Sequence, residues 1–569
     1  MGSLPIEPWQ QTAAQKRQSI LDLIPDEWRI PVIPAPEVQK KVTGWYIRQY
    51  LTESEIDMTE SRAEHIVQQT SSGKWSAVEV TKAFCHRAAL AHQLTNCLHE
   101  ILFTQALDEA ARLDTHLATT KTPFGPLHGL PISFKDQFHI HGAETTMGYV
   151  GWIGTFEGKK GTGKEHVTES EFVRAVRALG GIPFCKTSLP HTVMSMETWN
   201  NIVGYTLNPH NRFMTAGGSS GGEGALLALR GTPLGIGTDI GGSIRVPSSF
   251  CGLYGIRPSH GRLPYGGAAN SMPGQKTIPS VCGPMAPSVS SLKMLVKGLL
   301  TQEEPWLHDP AVVEMPWREE LSILRNPTDN SGRLTFGVYS SDDAVAPLPP
   351  VKRAITEIVA HIESLGHHTI PWNPPDHQRA TRIAYEAWEE DGGLNIHHNI
   401  NLSGEPLLER IAGDYGTSPR SPTPGDEIHA LALRKIAYQT EYMEYWNSTA
   451  KLTMTGKPVD AIVAPVTPFA SFELGKTHTA AYGPWVNVLD YTAVVVPVTT
   501  VDKAVDAREK DYVALSDIDQ RIREEYNPQV QHGTPVGLQL VGRRFQEEKM
   551  LALAEMFEEA FEKAFDKKQ

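Results

Sequence analysis

Two hydrophobic periods take turns along this chain. Thr12–Leu23 reads as a helix, and over Phe103–Ala118 apolar residues recur every three or four positions, the spacing that predicts one buried face of a helix. Another helix starts at Ser76, where Ser76-x-x-Glu79 forms a capping box and Trp75 can staple onto Val80. Thr168-x-x-Glu171 is read as the cap of a helix that runs to Leu179, stops at Gly180-Gly181 and gives way to a strand over Ile182–Cys185. Helix, glycine stop and strand return at Val351–Leu365, Gly366 and His368–Pro371, and once more at Glu427–Thr455, Gly456 and Val459–Pro465. Leu130–Phe134 and Leu234–Ile236 are short, mainly apolar runs of buried-strand type, and Glu223–Arg230 reads as helix. This alternation predicts an α/β fold, a large mixed or largely parallel sheet with helices on both faces.

The pattern thins in three places. Residues 1–60 read as an N-terminal helical arm packed on the body, with a proline-rich connection through Pro31, Pro34 and Pro36. The remainder, residues 61–569, reads as a single domain. Within it, residues 299–333 and 372–426 carry charge, proline and glycine without clear core periodicity. They are expected to be insertions that shape or cover a substrate entrance.

Composition narrows the class. A chain of 569 residues with 40% apolar content can bury a large core. Net charge is 52 − 65 = −13, scattered along the chain, which argues against nucleic acid as a partner. The five cysteines are widely spaced with no C-x-x-C pair, so reduced thiols and a cytoplasmic location are expected. The polar start MGSLPIEPWQQ has no apolar signal region, and the most continuous apolar run, Tyr491–Val498, is too short to span a bilayer. No membrane anchor is expected.

The chemistry concentrates in residues 212–262. Gly217-Gly218-Ser219-Ser220-Gly221-Gly222 and Gly241-Gly242-Ser243 bracket a helix and a strand. Glycine-rich turns leave backbone N–H groups pointing into open space, where they can hold a developing oxyanion. Upstream, Lys135 closes the apolar run Leu130–Phe134, and a lysine is seldom buried without a partner.

The run GGSSGGEGA…GTDIGGSIRVPSSFCG resembles the amidase signature, with 24 residues from Ser219 to Ser243. The likeness extends through GPLHGLPISFKDQF (125–138) and TPVGLQLVGRRFQEEKML (534–551), so it covers most of the chain and looks most like fungal acetamidases and general amidases. The resemblance implies the amidase signature fold and hydrolysis of a small-molecule carboxylic amide to an acid plus ammonia or an amine. It implies an acyl-serine intermediate on Ser243, Ser219 as bridging serine after a cis peptide, Lys135 as base, and no cofactor or metal. It further implies an oxyanion site from the N–H groups of Ile240, Gly241, Gly242 and Ser243, with Ser220 in support. Val193, Met194 and Trp199 fall in a stretch that lines the family's acyl pocket. Asp239 and Arg245 read as an ion pair bracing the loop, and Asp136 should point away from Lys135 by strand alternation. A homodimer is a family expectation. The same resemblance admits a lipid amide hydrolase and, more remotely, the amidase subunit of a tRNA-dependent amidotransferase.

Three rival motifs are weaker. Gly217–Gly221 satisfies G-x-S-x-G, but no strand precedes it, and its histidine would have to be one such as His532. His139-Ile140-His141 supplies two histidines where a catalytic zinc needs three ligands. Gly158–Lys164 approaches a phosphate loop but has Glu165 where a hydroxyl is required.

Overall fold

The computed structural model describes residues 7–324, 332–476 and 482–566. Its strands are β1 (Leu98–Ile101), β2 (Leu130–Lys135), β3 (Gly181–Thr187), β4 (Trp199–Asn200), β5 (Gly204–Tyr205), β6 (Gly235–Asp239) and β7 (Tyr254–Arg257). They continue with β8 (Val281–Ala286), β9 (Thr335–Val338), β10 (His368–Pro371), β11 (Ala461–Pro465), β12 (Ala493–Thr500) and β13 (Pro535–Val541). Eleven form one sheet in the order β1-β3-β2-β6-β8-β7-β12-β13-β11-β9-β10, while β4 and β5 make a separate hairpin.

The sheet is mixed in a patterned way. β2 runs parallel to β3 and β6, and β9 runs parallel to β10 and β11. Between these parallel flanks, β6, β8, β7, β12, β13 and β11 pair antiparallel. Side-chain alternation shows that both faces are covered. In β12, Val494 and Val496 join one hydrophobic core while Ala493 and Val495 join another. In β11, Ala461 and Val463 divide from Ile462 and Ala464 in the same way. Successive strand residues point to opposite faces, so each face must have its own helical layer.

Because β2 and β6 are parallel neighbours, with Ser133 opposite Gly235, their C-terminal ends lie together. Lys135 closes β2, and Thr238 and Asp239 close β6. This carboxyl edge is where open α/β sheets place ligands.

The N-terminal helix spans Pro8–Asp22 and starts four residues before the expected Thr12, because Pro8 sits at its first position and Glu7 and Gln10 cap it reciprocally. Lys16 on this helix reaches Glu100 of β1 at 2.5 Å and Glu144 at 3.0 Å. Further along the arm, Arg212 donates to the Pro34 carbonyl and the Val42 amide donates to the Pro209 carbonyl. The Ser76 capping box forms as read, and Trp75 packs edge-on against His65.

Two readings need correction. The helix read from Thr168 begins at Glu171, with Ser170 at its N-cap. The Thr168 hydroxyl instead donates to the Lys164 carbonyl, and Ser170 Oγ donates to the Gly267 carbonyl. The stretch 372–426 has core periodicity after all. It contains the helices His377–Trp388, Leu394–Asn401 and Glu409–Tyr415. In the first, His377, Ala380, Ile383, Ala384, Ala387 and Trp388 are buried at helical spacing, and the charged residues between them mask the stripe. Residues 299–324 form short turns against other helices, where Arg174 pairs with Glu303 and Arg318 with Glu548. Residues 1–6 and 325–331, on which parts of the arm, the leader and the insertion readings fall, lie outside the described residues.

Candidate active site

Lys135 is fully buried at the end of β2. Its Nζ donates to Ser219 Oγ at 2.7 Å and to Thr238 Oγ1 at 2.8 Å. Burial disfavours the ammonium and pulls its pKa down from 10.5 to about 7, against the opposing pull of Asp239, Cys282 and Glu223. Glu223 lies in the helix Gly221–Ala228, with Ser133 Oγ donating to it at 2.5 Å and Thr187 Oγ1 at 2.9 Å. Its own burial pushes it up to about 8, so it opposes the neutral amine only weakly near pH 7.

Asp136 does point away. Its carboxylate contacts Lys186 of β3 at 2.8 Å and accepts the Thr146 and Met147 amides. Burial alone would raise this carboxyl, but Lys186 holds it below the usual carboxylate range.

Ser219 follows Gly218 through a cis peptide bond and is 2% exposed. The Ser220 amide donates to the Ser243 carbonyl at 3.1 Å, which sets the two serine-bearing loops against each other. Ser220 Oγ also meets the Thr238 carbonyl and amide, each at 3.4 Å. Ser243 is half-buried and faces a cleft. No hydrogen bond of its hydroxyl to Ser219 is found among the described residues. The depth ordering is therefore a buried amine, a buried hydroxyl on Ser219 and an accessible one on Ser243.

Asp239 and Arg245 form a fully buried ion pair at 3.0 Å. Asn487 donates to Asp239 at 2.9 Å, and Arg245 donates to Asn487, Gln539 and the Gly483 carbonyl. Burial would raise the Asp239 carboxyl, yet Arg245 keeps it well below the usual range. Asp239 also accepts the Gly242 amide at 2.9 Å and the Ile244 amide at 3.2 Å. The Gly242 amide, one of the four expected oxyanion donors, is thus engaged by the brace.

The cleft encloses about 550 Å³, counting its open mouth. Its floor is Gly218 and Ile240–Ser243. One wall is Val193, Met194, Ser195 and Met196, and the other is Tyr385, Trp388 and Tyr415 with Glu389 and Asp414. The second wall comes from the 372–426 stretch. A Cβ on Gly241 would stand 2.6 Å from the Trp388 ring, so the indole lies directly on the floor. Trp199, named with Val193 and Met194, is not in this cleft and stacks on Tyr205 in the β4–β5 hairpin.

Several residues escaped the sequence reading. Thr238 was detectable as a polar residue inside the buried strand Gly235–Asp239, and Gln137 as an amide two residues past Lys135. The rival histidines stand elsewhere. His139 pairs with Glu157, and His532 contacts the Val501 carbonyl in a partly exposed turn.

An amine held against one serine hydroxyl, beneath a cleft that exposes another, is the equipment of a hydrolase. A family model described as Amidase matches residues 79–551, and the chain belongs to that family as an amide-hydrolysing enzyme. It is 44% identical to an acetamidase of Aspergillus oryzae over 97% of this chain and 98% of that one. It is 42% identical to an acetamidase of Emericella nidulans over 96% and 97%. Among solved structures, a fatty acid amide hydrolase superposes with a TM-score of 0.89 at 28% identity, covering 97% of this chain and 95% of that one. Among the described residues, no helix is long and apolar enough to cross a membrane.

Proposed function

We propose that this chain hydrolyses small carboxylic amides of the acetamide type, with Ser243 as nucleophile, Ser219 as proton bridge and Lys135 as base. The observation that carries the reading is the 2.7 Å contact between a fully buried Lys135 amine and Ser219. A neutral amine accepts the Ser219 proton, Ser219 accepts that of Ser243, and the Ser243 oxygen attacks the amide carbon. The amides of Ile240, Gly241 and Ser243 face the developing oxyanion, and each such donor is typically worth about 10²–10³ in rate. The proton returns along the same path to the leaving nitrogen. Water then attacks the acyl-Ser243 ester by the same route. Substitution of Ser219 breaks the bridge; substitution of Ser243 removes the attacking atom.

The acetamidases at 44% and 42% identity favour short acyl groups, as does the Trp388 indole lying on the cleft floor. We read residues 61–569 as one catalytic unit strapped by residues 1–60, working in the cytoplasm and compatible with a homodimer. A panel of amides of increasing acyl length, read by ammonia release, tests the substrate class. Ser243→Ala is expected to abolish turnover, and near-parental activity in that variant would refute the assignment.

A further inference from the structure

Lys135 has two hydrogen-bond neighbours, and one of them leads away from Ser243. Thr238 Oγ1 sits 2.8 Å from the amine and donates to Gln137 Oε1 at 2.6 Å. Gln137 is 1% exposed, and its Nε2 donates to the Ala269 carbonyl at 2.8 Å. The Ala269 amide donates back to the Gln137 carbonyl at 2.8 Å, and Phe138 bridges Ala268 beside it. A carbonyl can only accept, so the nitrogen end of the Gln137 amide must face Ala269 and its oxygen must face Thr238.

The hydrogens then have one arrangement. A hydroxyl carries a single hydrogen, and Thr238 has given it to Gln137. Thr238 therefore meets Lys135 only as an acceptor. A neutral amine with one N–H given to Thr238 can turn its lone pair to Ser219, the direction in which the proton must arrive. Were Thr238 free to rotate, its own O–H would compete for that lone pair.

We propose that Gln137 is a positioning residue that acts through the Thr238 hydroxyl to keep the Lys135 lone pair turned towards Ser219. This rests on Lys135 being the base. Asp239, Glu223 and Cys282 are the other titratable groups around the amine, and the buried Tyr265 phenol lies beside the Gln137 amide.

The test is a double-substitution cycle read as kcat and KM for one small amide. Thr238→Val and Gln137→Met should each lower kcat about 10–100-fold, the scale of a misoriented reacting group, with KM changed less than about threefold. Combined, they should lose no more than the worse single variant, because Gln137 has no other route to the amine. Losses that multiply, or parental kcat in Gln137→Met, overturn the proposal. Should Gln137→Met fail to fold, Thr238→Ser must recover most of what Thr238→Val loses, and equal activity of the two overturns it. Lys135→Ala runs alongside. Activity surviving there defeats the base assignment itself, which is a separate outcome from failure of the cycle.

Discussion

Replacing Lys135 by Met should disable the enzyme and stabilise the fold, and the two effects have one origin. Lowering the amine from 10.5 to about 7 raises its neutral fraction at pH 7 from about 0.03% to about half, on the order of 1,500-fold. The same perturbation costs folding free energy. Between pH 7 and 10.5 the unfolded chain holds a proton at this position and the folded chain does not, so stability rises with pH across that window. Below pH 7 both states are protonated and the full cost applies, on the order of 5 kcal/mol. Met removes that cost but leaves the Ser219 and Thr238 hydroxyls short of a partner, a loss of about 1–3 kcal/mol. The variant should therefore be more stable than the parent at pH 6, by about 2–4 kcal/mol.

The size of the gain depends on packing, whereas its pH dependence does not. From pH 6 to pH 9 the proton-linked part falls by about 3 kcal/mol, so the variant's advantage should shrink by that amount. Urea midpoints of both chains at the two pH values give the difference directly. Glu223, which titrates nearby, is common to both and largely cancels. A stability difference that stays flat with pH would refute the claim that this amine is neutral in the folded enzyme. The activity arm uses the parent alone. Its kcat/KM should fall about tenfold per pH unit below 7, as the base becomes protonated.

Asp239→Asn leaves Arg245 buried without its counter-charge and loosens the Gly242 amide, so it should destabilise by about 3–5 kcal/mol in urea unfolding. Parental stability would show that the brace is dispensable. Trp388→Leu should raise kcat/KM for hexanamide relative to acetamide, by at most about 10–200-fold per methylene accommodated, and an unchanged ratio would remove Trp388 from the acyl wall. Lys16→Met strips the cation from Glu100, which burial pushes up to about 7 even with Lys16 beside it. A raised carboxyl loses its stabilising protonation as pH rises, so this variant should weaken against the parent between pH 7 and 9. A constant difference over that range would refute the coupling.

Much of the sheet was legible because helix, glycine and strand punctuate this chain repeatedly. His368–Pro371 is a strand with the bounds read from the glycine stop before it. The glycine–serine spacing likewise placed two loops in one frame, and the fold sets them in contact through Ser220 and Ser243. What stayed hidden depends on partners distant in sequence. Nothing in GTDIGGS says that Asp239 will claim the Gly242 amide, because that choice is fixed by Arg245 and Asn487, and Asn487 lies 248 positions away. Gln137 matters through Ala269, 132 positions on, and no local period marks it. The aromatic wall is a different case. Its helical stripe was readable, but Arg379, Arg382 and Glu386 on the exposed face diluted it.

Buried cations around the site show why Lys135 would suit the proposed chemistry and its neighbour would not. Lys135 and Lys186 end or nearly end adjacent parallel strands, and both are 0% exposed. Lys186 has the Asp136 carboxylate at 2.8 Å, and Arg245 has Asp239 at 3.0 Å. Lys135 has hydroxyls as its hydrogen-bond partners. A hydroxyl satisfies an N–H but does not neutralise a charge, so desolvation outweighs the more distant carboxylates and pulls the amine down to about 7. The adjacent Asp136 would have prevented this had it faced the amine, and strand alternation sends it to Lys186 instead. Moving one carboxylate to the Lys135 side, as in Thr238→Asp, should restore the ammonium and silence the enzyme near pH 7. Activity should return only in alkali, and a parental pH profile in that variant would show that charge pairing is not what sets the base.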